Sequence, residues 1–185
     1  ANKQDSHGID WPIRYKDVEP WYRYVEEYIG VSGQPEGLPH LPDSVFQPPM
    51  ELNAGEQFIK KGLEAKYTDR RMTIGRVAVR TQAGNGRGAC HYCGPCQRGC
   101  SAGAYFSTQS TTLPAARATG RLTLLADSVV EGIDYDHATQ RASGVRVIDA
   151  VNRKKTRYTA KLVFLCASTV ASNQIQLNSS SASYP

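Results

Sequence analysis

The sequence predicts a mixed fold of the α/β class, in which helices, irregular segments and strands are interleaved. Three observations carry that expectation. Apolar residues recur at helical spacing in two N-terminal stretches, RMTIGRVAVR alternates residue by residue, and the last third holds four strand candidates, the final one an apolar run leading straight into a helix. Hydrophobic residues make up 40% of the chain and charged residues 21%, which is enough apolar material for a buried core and argues against wholesale disorder.

The first element lies in DWPIRYKDVEPWYRYVEEYIGVSG, where Tyr24, Val25, Tyr28 and Ile29 give the spacing of a short helix after an extended lead-in. Pro20 suits a first helical turn, and Gly30 and Gly33 end the run. QPEGLPHLPDSVFQPPM holds five prolines and predicts an irregular, surface-hugging segment. Leu52, Phe58, Ile59 and Leu63 then restore helical spacing, and RMTIGRVAVR predicts a strand with one buried face. QSTTLPAARATG reads as a short helix ended by Gly120, and RLTLLADS as a strand. From SVVEGIDYD to KLVFLCAS the strand candidates are separated by turns at DHATQ and AVNRKK. KLVFLCAS suits a strand buried on both faces, with Cys166 as a small core residue. Its step into a helix is of the kind found at nucleotide-binding edges of open sheets. Three segments follow: 1–70, helical and irregular; 71–119, a strand, a cysteine-rich loop and a helix; and 120–185, rich in β structure.

Charge is unevenly spread. The chain carries a net +5, yet Lys60, Lys61, Lys66, Arg70, Arg71, Arg76, Arg80, Arg87 and Arg98 all fall in one stretch with only Glu64 and Asp69 against them. A solvated face and a docking surface for an acidic partner both fit this. Nucleic acid does not, because interleaved aromatics and any nucleic-acid motif are lacking. Neither a run long enough to span a membrane nor a secretory apolar stretch occurs, and the helix opening just before SSSASYP suggests a fragment of a longer protein.

GACHYCGPCQRGC places Cys90, Cys93, Cys96 and Cys100 at C-x2-C-x2-C-x3-C spacing, the run that bacterial ferredoxins use to hold iron–sulfur clusters. Several thiolates must converge on one body, so the backbone has to curl. Gly94, Pro95 and Gly99 supply the curl, and Arg87 and Arg98 would offset the negative charge. Ser101 stands where the ferredoxin run has proline, and the motif occurs once, so Cys100 either closes a single cluster or stands outside a three-iron form. Structural zinc, with His91 as a further ligand, disulfides and idle thiols are the alternatives.

Taken together, DWPIRYKDVEPWYRYVEEYIGVSG, GCSAGAYFSTQSTTLPAA, GRLTLLADSVVEGIDYD, RASGVRV and KLVFLCASTVASNQIQLNSS resemble, in order and spacing, the glucose-methanol-choline (GMC) oxidoreductases. The resemblance implies part of a Rossmann-like FAD-binding domain with inserted irregular and antiparallel β segments, the 1–70 segment lying near the substrate and FAD region. It makes Val130 the candidate for a backbone contact to the adenine of FAD. Ala167 and Ser168 take the turn beside ribose and pyrophosphate, with plain sheet packing as the alternative for all three; Ser179-Ser180 replaces the family's usual Ser-Gly. The G-x-G-x-x-G turn is absent. None of His7, His40, His91 or His137 matches the context of the family's catalytic histidine, so no catalytic residue is assigned and this stretch alone is not expected to turn over substrate.

The extra Cys90 and Cys93 resemble the catalytic subunits of bacterial, dye-linked sugar dehydrogenases. That likeness implies FAD, an iron–sulfur cluster of three or four irons, a sugar or related alcohol as substrate, and a cytochrome or other electron acceptor. It also favours a periplasmic over a cytoplasmic location. The rival readings are a stand-alone iron–sulfur or zinc-binding electron-transfer module and a flavin oxidase of the same family with structural cysteines.

Overall fold

The computed structural model describes residues 10–181, so His7 lies outside the described residues. The chain divides into two compact units between Leu122 and Thr123. Among the described residues no helix is long and apolar enough to cross a membrane.

The N-terminal unit holds α1 (Tyr15–Ile29), α2 (Ala54–Lys66), a 3-10 turn at Cys96–Arg98 and α3 (Thr112–Ala118). α1 begins a turn earlier than its sequence suggests. Asp17 Oδ2 accepts the Arg14 N–H at 2.8 Å, and Arg14 Nη2 pairs with Asp10 Oδ2 at 2.7 Å, which fixes the start ahead of Tyr15. Pro20 therefore sits in the helix interior, not its first turn. Gly30 ends the helix at φ 77°, its N–H donating to Glu26 O at 3.0 Å. A Cβ there would also lie 2.7 Å from Arg80 Nη1, so the helix end and the arginine share one space. α2 starts on a reciprocal cap: Glu56 N–H donates to Asn53 Oδ1 at 3.0 Å and Asn53 N–H to Glu56 Oε2 at 2.8 Å.

Neither helix buries a residue. The core of this unit is made by loops instead, around Val31, Ser32, Val79, Arg80, Arg87 and Ala104. RMTIGRVAVR forms no strand. Val77 bridges Ser32 and Val79 bridges Tyr105 singly, because Val79 N–H turns back onto Val77 O at 2.8 Å and breaks the extended path. Partners for its backbone come from several separate loops, so no ladder can propagate.

The C-terminal unit is a three-stranded antiparallel meander, β1 (Ser128–Asp136), β2 (Arg141–Asp149) and β3 (Lys155–Thr159), followed by α4 (Ser168–Leu177). The two predicted turns close its hairpins. Val130 pairs with Val147, and an irregularity in β1 between Val130 and Gly132 marks where the strand bends. α4 packs on β1 through Ser179, whose Oγ accepts the Ile133 N–H at 2.7 Å and donates to Ile175 O at 2.6 Å.

Two expected strands are absent from this unit and its approach. RLTLLADS is irregular up to Ser128, and KLVFLCAS is an unpaired extended stretch up to Ser168. The second is a consequence of pairing: a strand apolar on both faces needs neighbours on both edges, and no described strand lies beside it. Leu162 and Phe164 are consequently exposed, and Cys166 is exposed where a core position was expected. Three of the four strand candidates form, and the fold remains the mixed α/β arrangement expected.

Candidate cofactor sites

The four clustered cysteines occupy one irregular loop whose curl is set by the backbone. Gly94 has φ 89° and Gly99 φ 112°, a region that other residues seldom enter. Between them Arg98 N–H donates to Pro95 O at 2.9 Å, making the 3-10 turn at Cys96–Arg98. Tyr92 takes φ 56°, and its N–H donates to Cys90 Sγ at 3.4 Å. Cys90, Cys93, Cys96 and Cys100 all line a single cavity of about 330 Å³, floored by Met50, Val79 and Ala104. All four are free thiols, Cys93 exposed and the other three half-buried.

Cys100 is held differently from the rest. The nearby peptide N–H groups, Tyr105 first and then Ala104, Ala102 and Gly103, lower the Cys100 pKa below the ordinary thiol value, with burial opposing; the Gly103 N–H itself donates to Cys100 O at 2.9 Å. Behind those peptides lies Arg87, 5% exposed. Its Nε donates to Gly103 O at 2.8 Å, its Nη2 to Ala104 O at 2.9 Å and its Nη1 to Ile29 O at 2.6 Å. Burial and then the neighbouring Arg80 pull the Arg87 pKa down, while Cys100 pulls it up. Among the described residues neither Arg80 nor Arg87 has a carboxylate partner. Arg76 is paired with Asp43 at 2.9 Å. Three cations of the basic stretch are thus engaged inside the unit, and Arg98 is exposed.

No three His, Cys, Asp or Glu side chains among the described residues are drawn together closely enough to hold one metal ion. The cysteines share a cavity as an open donor set. His91 also lines that cavity, His40 is exposed, and His137 packs edge-on against Tyr135 at 5.3 Å.

In the C-terminal unit, Val130 and Ala167 line one cavity of about 590 Å³, together with Ile148, Phe164, Ala171 and Ile175. Ser168 follows as the first residue of α4, at φ 61°, an uncommon conformation for a residue with a side chain. Among the described residues β1 is an edge strand, paired with β2. Most of the wall is apolar, Glu131, Gln174 and Asn178 supply its polar part, and small residues leave room at the helix start.

Two contributors are read only in part from the sequence. Arg87 is expected to offset the charge of the thiolates, but its reach to Ile29 across the unit is not legible there. Ser179 reads only as a departure from a signature, although it ties α4 to β1. The available signal was a pair of glycines, Gly132, where a Cβ would lie 3.2 Å from Ser179 Oγ, and Gly103, where it would lie 3.7 Å from Arg87 Cγ.

The GMC oxidoreductase model matches residues 4–183. None of the curated proteins compared with the chain matches it. A match over nearly the whole length places the chain among the FAD-dependent oxidoreductases. It belongs to the GMC oxidoreductase family, in that family's Rossmann-like, FAD-binding N-terminal domain.

Proposed function

We propose that the chain is the cofactor-bearing part of a GMC dehydrogenase that oxidises the CH–OH group of a sugar or related alcohol. Electrons pass from FAD through an iron–sulfur cluster of three or four irons to a cytochrome or other external acceptor. The observation that carries this reading is the cysteine cavity. Four thiols line it, and the buried Arg87 guanidinium, without a carboxylate partner among the described residues, holds the Gly103 and Ala104 carbonyls just beyond Cys100.

The reading as a cluster site, in place of a single ion, rests on the C-x2-C-x2-C-x3-C spacing and on the shared cavity. Tetrahedral zinc would need its sulfurs about 3.8 Å apart, given Zn–S bonds of about 2.3 Å, and no three ligands approach in that way. A body of several irons spaces its thiolates more widely, and its negative charge favours N–H donors and cations around the sulfurs. Cys90, Cys93 and Cys96 would be ligands, with Cys100 the fourth where the cluster has four irons. FAD bound here would supply a hydride acceptor for the carbinol carbon, and a cluster held by the cysteines would supply a one-electron relay to the acceptor. Val130, Ala167 and Ser168 would hold the adenine, ribose and pyrophosphate end of FAD. The exposed side of the loop at Tyr92 and Cys93 is where an acceptor would approach. A periplasmic location suits such an acceptor.

The holoenzyme purified with its flavin should reduce an artificial dye in the presence of a sugar or polyol and react slowly with oxygen. A colourless protein without FAD would overturn the flavin assignment. Rapid turnover with oxygen, unaffected by Cys93→Ser, would favour an oxidase whose cysteines are structural.

A further inference from the structure

We propose that the groove between α1 and the 42–44 segment is a binding site for a saccharide ring. Tyr15, Glu19, Tyr22 and Glu26 recur along α1 at helical spacing, which sets them in one stripe down the helix. All four line a cavity of about 330 Å³ whose other wall includes Asp43, Ser44 and Arg76. A stripe made for packing would carry aliphatic side chains. Here phenols and carboxylates alternate, and α1 buries none of them.

The facing wall is held in place before any ligand arrives. Asp43 accepts the Glu36 and Gly37 N–H groups at 2.8 and 2.9 Å. Arg76 donates through Nη2 to the same carboxylate at 2.9 Å and through Nη1 to Pro42 O, with its guanidinium over the Phe46 ring at 4.5 Å. Two polar atoms of this wall are nevertheless left over. Ser44 Oγ and Arg76 Nε are screened from solvent and have no hydrogen-bond partner among the described residues, where only Asp134 Oδ2 shares that condition. Buried polar atoms are seldom left unmatched without a ligand or water to take them. Burial, and then the carboxylates of Glu19 and Glu26, raise the Tyr15 pKa while Arg76 lowers it, so phenol, acids and guanidinium act on one small space.

The lining selects the class of ligand. Carboxylates only accept, guanidinium groups only donate, and serine and tyrosine do either, so the ligand must carry groups that do both, as hydroxyls do. Three carboxylates, of Glu19, Glu26 and Asp43, stand against the guanidinium groups of Arg23 and Arg76. The excess of negative charge disfavours an anion, and two arginines in the wall disfavour a bare cation. The volume lies at the low end of the roughly 300–1,000 Å³ of ligand sites and suits a single ring, to which the tyrosine faces offer an apolar side. Binding there needs neither flavin nor metal, so it stands apart from the redox reading of the chain.

The test is calorimetric titration of the full-length protein with methyl α-D-glucopyranoside, its flavin reduced beforehand so that no oxidation accompanies binding. Inorganic phosphate and tetramethylammonium are titrated as the charged alternatives. The glucoside should bind, and neither ion should compete with it. Ser44→Ala should weaken the glucoside about three- to tenfold, as loss of one hydrogen bond does. Its denaturation midpoint should stay unchanged or rise, because a buried hydroxyl without a partner has been removed. Tyr22→Ala, at a side chain 62% exposed and outside any core, should weaken binding by a similar factor. A glucoside affinity that neither substitution moves overturns the inference, and so does a groove that takes phosphate or tetramethylammonium instead. Absence of glucoside binding, as when another part of the full protein is seated on α1, overturns it too. Protein without flavin is titrated in the same way, so failure of the flavin reading leaves this test intact.

Discussion

In the C-terminal unit Val130 is placed by a ladder: it pairs with Val147 in a three-stranded antiparallel sheet whose register shifts twice along β1. In the N-terminal unit Cys100 is placed by no ladder at all, but by a loop whose carbonyls are gathered onto the buried Arg87. A ladder spreads its hold over many equivalent hydrogen bonds, so that loss of one costs little. A single guanidinium concentrates the hold at one side chain, and its removal takes the donor from the Gly103 and Ile29 carbonyls at once, while Ala104 O keeps the Arg80 N–H.

The comparison can be broken most directly at the arginine. Arg87→Met strips three carbonyls of their charged donor and should destabilise the N-terminal unit by on the order of 3 kcal/mol or more, read as a lowered denaturation midpoint. Asp134→Asn is the matching change in the sheet, where Asp134 meets Arg146 at 2.8 Å and Arg157 at 2.6 Å. Because both arginines reach solvent, the loss there should be only about 1–2 kcal/mol. A larger loss from Asp134→Asn than from Arg87→Met would reverse the contrast. Ser179→Ala should cost about 1 kcal/mol by leaving Ile133 N–H and Ile175 O without a partner. Hydrogen exchange should show it as faster exchange at the contact of α4 with β1, the meander beyond it being unaffected.

The smallest effect is one of pH. Thr139 and the Ala138 N–H hold the Asp136 carboxyl below its ordinary value, and the Asn152 and Val151 N–H groups do the same for Asp149. Both close hairpins of the sheet. A carboxyl whose pKa is lowered on folding stabilises fully above its ordinary value, and that contribution drains away as pH falls through the lowered one. The thermal midpoint of the C-terminal unit should therefore decline as pH drops below the ordinary carboxylate range, and less so in Asp149→Asn. An unchanged pH profile in that variant would remove the turn from the account.

What the sequence disclosed follows the same division. Elements specified by neighbours along the chain were legible: the spacing of Phe58, Ile59 and Leu63 announces α2, Gly30 the end of α1, and DHATQ and AVNRKK the turns of the meander. The cysteine spacing and the glycines that curl it were equally local. Elements that need distant partners were not. Alternation in RMTIGRVAVR describes a strand only where one continuous edge receives it, and here Val77 and Val79 meet different loops. KLVFLCAS has the composition of a central strand with no described strand on either side. Arg87 was the least legible, because its meaning lies in contacts with Ile29, Gly103 and Ala104 and in none of its sequence neighbours.

The central claim is that Cys90, Cys93, Cys96 and Cys100 form a cluster-bearing loop within a flavoprotein domain. Iron and acid-labile sulfide analysis of the holoenzyme, purified without oxygen and normalised to its flavin, tests it most directly. The account predicts three or four irons with matching sulfide for each flavin, lost on Cys93→Ser while the flavin is retained. Stoichiometric zinc, or flavin with neither iron nor sulfide, would contradict it.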